Sequence, residues 1–567
     1  MNRAILIGLT LLGLTATAVA APAGLGDVWR ETGFDRLAVQ SAGMEKSLAT
    51  FARDSLREIA LRRQIREDDK VALTLLLASR PGLLADRWLI PVEGDMLLPL
   101  LEEVGITVDH RTLRLGDCLR FDQTGQVMGE GRALAVARQV LLATQEGEPI
   151  HSAALRLFSR INAVADLGPS LRLIPDPNDP EGGWHTVEEA KRLGIAGAEE
   201  AGGHLEALFD AVAADDATAA RPAAEALVTL LPTLPNYTSS TRLAVDHAYT
   251  VHRPYFWASF AYVVSAILFF IALVTRGDRW WLAAMIVMGA GWIIHVLGAV
   301  ARGYLIQRMP LSNLYEATTT GLVFIILFAL IFEGMHRMRV VGFSAAALSF
   351  IYYRWLLSSD VYGNDAIEPL RAVLNSYWLD YHVTCMMLSY GAFTIAFAMA
   401  VLYLMRRHMP RLMRWTPSLE DLDLYIYRAI QFGWPLLGIG IVLGAVWADT
   451  AWGRMWSWDP KETWSLITWL IYTGFLHVRL VHGWRGVGMA WASIGGYAAV
   501  LFTYLGVNFV LSGLHSYAGN TPAITAGEGT QRMILWSVLV VAALAAAGTG
   551  AWWSLRQGRS RDGVEES

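Results

Sequence analysis

The sequence predicts an all-α polytopic membrane protein of about nine transmembrane helices, preceded by a signal peptide and a mainly helical exported domain. Three observations point there. Of 567 residues, 54% are hydrophobic and only 17% charged, against roughly 25% charged in a soluble globular chain; mean hydropathy is +0.36. Apolar stretches of membrane-spanning length recur through the second half. Arg and Lys favour alternate connections between those stretches, as the positive-inside rule requires.

The first residues read as an export signal. Asn2-Arg3 supplies the positive end, Ala4 to Val19 the apolar stretch, and Ala18-Val19-Ala20 the small-residue cleavage pattern, giving a signal peptide over 1–20. Residues 21–250 form a soluble block. Leu48, Ala52, Leu56 and Ile59 repeat at helical spacing, with Arg53, Arg57 and Glu58 on other faces. The run from Pro175 to Gly183 is rich in Pro, Gly and Asp and reads as an exposed loop. His110, His151, His185 and His204 are scattered, without metal-ligand or nucleophile–base spacing. The block's own role is not legible.

From Tyr255 the composition changes. Nine apolar stretches lie near 254–275, 280–301, 316–335, 340–357, 379–405, 429–448, 464–480, 487–511 and 533–555. With the exported block outside, the inward connections carry Arg276 and Arg279, Arg337 and Arg339, Arg406, Arg407, Arg411 and Arg414, and Arg479 and Arg485. The tail over 556–567 adds Arg556, Arg559 and Arg561. Outward connections hold fewer: Arg302, Arg308, Arg371, Arg454, Lys461 and Arg532. A net charge of −5 shows no basic excess, so nucleic acid is not expected as a partner. Two cysteines, Cys118 and Cys385, exclude a disulfide scaffold, a CxxC redox site and a CxxCH haem-attachment site within the chain.

Tryptophan is the oddity: of 22, three precede residue 250. Trp447, Trp452, Trp456, Trp458, Trp464 and Trp469 fall on one outer connection and the helices flanking it, interleaved with Arg454, Asp459-Pro460, Lys461 and Glu462. His382 opens the fifth apolar stretch on that side and His515 follows the eighth. An interfacial belt accounts for single Trp residues at helix ends. The cluster suits an aromatic platform for a large flat ligand, with the two histidines as candidate axial ligands. His477 lies deep in the seventh stretch and shares a helical face with Trp469 and Thr473. A titratable group at that depth marks either a functional site or a hydrogen bond to a neighbouring helix. His295 is the other histidine well inside a predicted span; a local hydrogen bond is the favoured reading, with iron ligation the weaker one. Lys461 and Glu462 read equally as a solvated helix-start pair.

The segment from Trp452 to Trp469, running on to Leu476-His477-Val478-Arg479, resembles the tryptophan-rich WWD segment of the CcsA (ResC) family, the membrane haem-handling component of the System II cytochrome c synthase. Pro310-Leu311-Ser312-Asn313-Leu314-Tyr315-Glu316 is similar to that family's outer segment before its next helix, and Gln40 to Arg53 is similar, more weakly, to the exported extension of longer members. The resemblance spans about residues 250–555. It implies that His382 and His515 flank haem b at the outer face and that His477 is an intramembrane iron ligand. Trp452, Trp456, Trp458, Asp459 and Trp464 would then bound the haem, and Lys461 or Arg454 pair with a propionate. It further implies a multi-pass protein of the bacterial inner membrane, with the N-terminal domain and WWD segment periplasmic and the tail cytoplasmic. Partners would be apocytochrome c carrying CxxCH, a CcsB (ResB)-like membrane subunit and thiol-reducing periplasmic proteins. No CcsB-like set of membrane helices precedes the exported block. Three activities stay open on sequence: holocytochrome c synthase, haem exporter or chaperone, and an assembly subunit without catalysis of its own.

Overall fold

The computed structural model describes residues 24–507 apart from 61–64, 66–68, 146–147, 181, 359–365, 368–369, 371, 412 and 415, together with 511 and 514. The expected signal peptide, the ninth stretch at 533–555, the tail and His515 lie outside the described residues. The chain forms two compact units. One runs through Leu142 and from Arg156 to His247; the other comprises Ala143–Leu155 and the residues from Ala248 onward.

The first unit is mostly helical but also carries three two-stranded antiparallel sheets: β1 (Ala38–Ser41) with β2 (Met44–Ser47), β3 (Trp88–Pro91) with β4 (Thr112–Arg114), and β5 (Leu119–Phe121) with β6 (Val127–Glu130). Helix Leu48–Ile59 starts where the Ser47 hydroxyl accepts from the Thr50 amide, and it buries Leu48, Phe51, Ala52, Leu56 and Ile59 on one face. The buried Asp246 carboxylate ties this start to the end of the unit, accepting from Ser47 N at 2.8 Å, Ser47 Oγ at 2.6 Å and Thr50 Oγ1 at 2.7 Å. A buried carboxylate holds only when donors satisfy it, and three do. Burial also pushes the Cys118 thiol well above its usual range.

The second unit is a helical membrane module. Its long helices are α1 (Pro254–Thr275), α2 (Asp278–Ile306), α3 (Leu314–His336), α4 (Val340–Ser358), α5 (Tyr377–His408), α6 (Leu419–Trp452), α7 (Pro460–Val481) and α8 (Val487–Leu501), which continues into a π-helical turn, Phe502–Gly506. Among the described residues seven of these are long and apolar enough to span a membrane. The fourth expected stretch is also a helix, α4, apolar over Val340–Arg354 among the described residues. The chain is therefore a mostly helical polytopic membrane protein. Several helices outrun the apolar stretches. α6 begins at Leu419, not near 429, because Ser418 caps a charged first turn through the Asp421 amide. α7 runs from Pro460 to Val481, so His477 lies four residues from its C-terminal end, further along the helix than the expected thirteen residues from its start. Helix α5 packs along α6 and α8, α7 lies between α6 and α8, and α1 packs on α2 and α4.

Candidate functional site

The Trp-rich connection is built around the start of α7. Gly453, at φ +71°, ends α6 in the left-handed conformation that glycine adopts without penalty. Asp459 caps α7 by accepting from the Lys461 amide at 3.1 Å, and Pro460 fills the first helical position. Glu462 Oε2 reaches back to accept from the Ser457 and Asp459 amides at 2.8 and 3.2 Å. Asp459 and Glu462 thus form a capping box. The other Asp459 oxygen accepts the Leu514 amide at 2.6 Å. Asp459, expected at the ligand surface, is buried and occupied by these backbone donors; Lys461 is half-buried beside it, and Arg454 is exposed.

The six tryptophans do not act alike. Trp447 is buried and donates Nε1–H to the Val373 carbonyl at 3.3 Å; Trp452 meets it edge-on at 4.8 Å, and both pack with Leu374 and Leu379. Trp464 lies 4.3 Å from Phe502 of the π turn, and its carbonyl accepts the Thr468 and Thr503 hydroxyls. Trp469 stacks on Trp434 of α6 at 5.3 Å, whose Nε1–H donates to Thr473. Trp456 and Trp458 remain as an edge-to-face pair at 5.8 Å. Trp458 is 71% exposed and holds φ +59°. A bulky residue in the left-handed region costs of order 1–3 kcal/mol and persists only where surrounding contacts impose it, a pattern that clusters at functional sites.

His382, half-buried on α5, lies over α6. Its Nδ1 is 2.7 Å from the Gly440 carbonyl, to which Nδ1–H donates. The ring is parallel to Trp447 within 10° at 6.4 Å. A Cβ at Gly444 would come within 2.7 Å of the imidazole, so glycine there makes the room. The structure thus joins His382 to the Trp447–Trp452 end of the cluster. Sequence reading did not find Trp434, Gly440 or Gly444; the Gly440-xxx-Gly444 spacing within an apolar helix was the available signal.

The segment 310–316 is pinned by a buried ion pair. Arg302 donates Nε–H and Nη2–H to Glu316 Oε1 at 3.0 and 2.9 Å, and Nη2–H also to the Ala366 carbonyl. Glu316 Oε2 accepts the Ser312 amide at 3.0 Å. Two helix turns from Arg302, His295 is fully enclosed: Nδ1 lies 2.9 Å from the Tyr262 hydroxyl, while Nε2 lies 2.9 Å from the Thr319 carbonyl and 2.6 Å from the Tyr353 hydroxyl. Both ring nitrogens are engaged by the bundle.

At the other end of α7, His477 is exposed and edge-to-face with His482 at 5.8 Å. The expected shared face with Trp469 and Thr473 drifts: each four-residue step overshoots a full turn by about 40°. Trp469 and Thr473 therefore meet α6 while His477 turns outward. Two residues on, Arg479 forms a bidentate pair with Asp423 at 3.0 and 2.7 Å, packs over Tyr427, and shares Asp423 with the Gly486 amide at 2.8 Å. Sequence reading missed this pin and His482. Among the described residues no group of three or more His, Cys, Asp or Glu is arranged to hold a bare metal ion.

The family described as Cytochrome C assembly protein matches residues 311–515. Cytochrome c biogenesis protein CcsA of Guillardia theta is 39% identical over 256 residues, covering 41% of this chain and 80% of that one. The CcsA of Chlamydomonas reinhardtii is 38% identical over 244 residues, covering 41% and 67%. That of Gloeobacter violaceus is 32% identical over 317 residues, covering 44% and 93%. A solved structure titled Cytochrome c Heme Lyase CcmF superposes with a TM-score of 0.39 at 16% identity, over 52% of this chain and 50% of that one, too distant for argument. At this identity and coverage of its relatives, the chain belongs to the CcsA family and acts in cytochrome c biogenesis.

Proposed function

We propose that the chain receives haem b at the cytoplasmic side of a bacterial inner membrane, passes it by His477, and holds it at the periplasmic face between His382 and His515 for attachment to apocytochrome c. The observation that carries this reading is the placement of His382, bonded to the Gly440 carbonyl and parallel to Trp447 beside the Trp-rich connection. The bond from Nδ1–H to the Gly440 carbonyl orients the imidazole, as second-shell bonds orient histidines that bind iron. Trp456 and Trp458 supply aromatic faces for the macrocycle edge. Exposed Arg454 and half-buried Lys461 supply cations for the propionates. Asp459 and Glu462 act as the cap that fixes this surface. His295, with both nitrogens engaged, is left out of the ligand set.

The chemistry asks little of the protein. Each apocytochrome thiol adds across a haem vinyl: a C–S bond forms at one vinyl carbon and the thiol proton goes to the other, with no net change in redox state. The thiols belong to the substrate and the vinyls to the haem, so the chain's task is orientation. The outward His477 leaves its opposite side to a ligand from a CcsB-like subunit, and thiol-reducing periplasmic proteins would keep the CxxCH cysteines available.

The test is co-expression of the full chain and a CcsB-like partner with a CxxCH apocytochrome. Covalent haem on the peptide is expected, lost in His382→Ala and restored by added imidazole. A chain that binds haem yet gives no covalent product with its partner present would leave it a haem exporter or chaperone.

A further inference from the structure

His477 has a histidine neighbour that the reading above does not use. His482 closes α7, with its amide donating to the Val478 carbonyl at 3.1 Å, and its ring stands edge-to-face to His477 with centroids 5.8 Å apart and an interplanar angle of 74°. Both rings are exposed. The turn that carries His482 is held rigidly. Gly483 and Gly486 take φ +66° and +79°, the left-handed values that glycine permits. Asp423 grips both sides of the turn at once, through the Arg479 guanidinium before it and the Gly486 amide after it. On the same turn Trp484 is 60% exposed and Arg485 is exposed. The turn therefore holds an imidazole, an aromatic face and a guanidinium within four residues, the three group types a haem edge engages through iron, ring and propionate.

We infer that His482 is the receiving ligand for haem at the inner end of α7, and that it hands the iron to His477. The inference rests on the inward placement of His477 proposed above. The edge-to-face arrangement is that of rings in contact, not of two ligands opposed across an iron, so the pair acts in succession. In the exchange the iron–His482 bond breaks as the iron–His477 bond forms. Both imidazoles are neutral donors, so no electron or proton changes hands. Trp484 and Arg485 hold the arriving haem by its ring and its propionate while the iron changes ligand. A fixed turn suits such a relay, because the second ligand must wait within reach of the first.

The test uses the purified full-length chain in lipid nanodiscs and haemin as the probe, followed by absorption during rapid mixing. His482→Leu should slow haem loading by about tenfold or more at limiting haemin, while occupancy and spectrum at saturating haemin match the unaltered chain. His482→Met, which restores a soft axial donor of similar bulk, should recover most of the rate; a merely structural role would treat Leu and Met alike. His477→Ala should lose the stable intramembrane haem but keep a fast, weakly bound first phase that His477→Ala with His482→Leu abolishes. Loading of His482→Leu at the unaltered rate would overturn the inference, as would a changed spectrum at saturation, which would make His482 a permanent ligand. Intramembrane haem that survives His477→Ala would instead overturn the reading of His477 itself.

Discussion

Histidines on α5 and at the C-terminal end of α7 sit in opposite settings. On α5 His382 is wedged against Gly440 and Gly444 of α6, with Nδ1–H donated to the Gly440 carbonyl and the ring parallel to buried Trp447. At the inner end His477 and His482 stand exposed, touching each other, on a turn anchored from behind by Asp423. The contrast teaches what each place is built for. An imidazole bonded to the backbone and with no room to rotate suits holding a haem in one orientation, whereas two exposed imidazoles on a fixed turn suit passing it on. Rigidity is present in both places; in one it is given to the ligand, in the other to the backbone beneath it.

The largest expected effect breaks the inner end. Asp423→Ala strips a buried guanidinium of its partner, which costs about 3–5 kcal/mol when one member of such a pair is removed. Purified yield and thermal stability should fall sharply, and the residual protein should lose haem at His477 and, with its supply cut, at the outer position as well. A normal haem content at both positions would show that the Asp423–Arg479 pair does not support this turn.

Gly444→Ala probes the outer end without touching a ligand. The new methyl would meet the His382 ring at 2.7 Å, and overpacking of this kind costs about 1–3 kcal/mol. The outer haem should be depleted as in His382→Ala while the intramembrane haem stays. A normal outer haem spectrum would show that His382 need not lie against α6.

These outcomes depend on features of unequal legibility. His382, His477 and the Trp cluster were visible because each is a local string of unusual residue types, and apolar length alone located the membrane helices. What the Trp residues do was not visible. Trp447 and Trp469 are drawn into packing by Val373 and Trp434, partners 74 and 35 residues away along the chain, and no local pattern encodes that. The two-stranded sheets escaped because strands of three or four residues are too short for alternation to register. The start of α6 was placed ten residues late because its first turns carry Glu420, Asp421 and Asp423, which an apolar window rejects. Asp423–Arg479 and Arg302–Glu316 join residues 56 and 14 apart, pairings that only the packed helices decide.

Trp458→Gly separates strain from ligand contact. Glycine at φ +59° relieves a conformation that a bulky side chain tolerates poorly, so stability should rise by roughly 1 kcal/mol while outer haem falls. Stability and haem falling together would make Trp458 a packing residue. The smallest effect is expected at His295. Tyr262→Phe removes one hydrogen bond to the enclosed imidazole, worth about 1 kcal/mol, and should lower thermal stability slightly with both haem spectra unchanged. A shifted spectrum would return His295 to the ligand set.

The central claim, that haem passes the inner end before it is held at the outer one, is tested most directly by the haem content and absorption spectrum of two purified single variants. His477→Ala should empty both positions, because supply to the outer face is cut. His382→Ala should empty the outer position alone and leave haem trapped at His477. A His477→Ala protein that carries a full, normally ligated outer haem would contradict the account, since haem would then reach His382 by a route that bypasses α7.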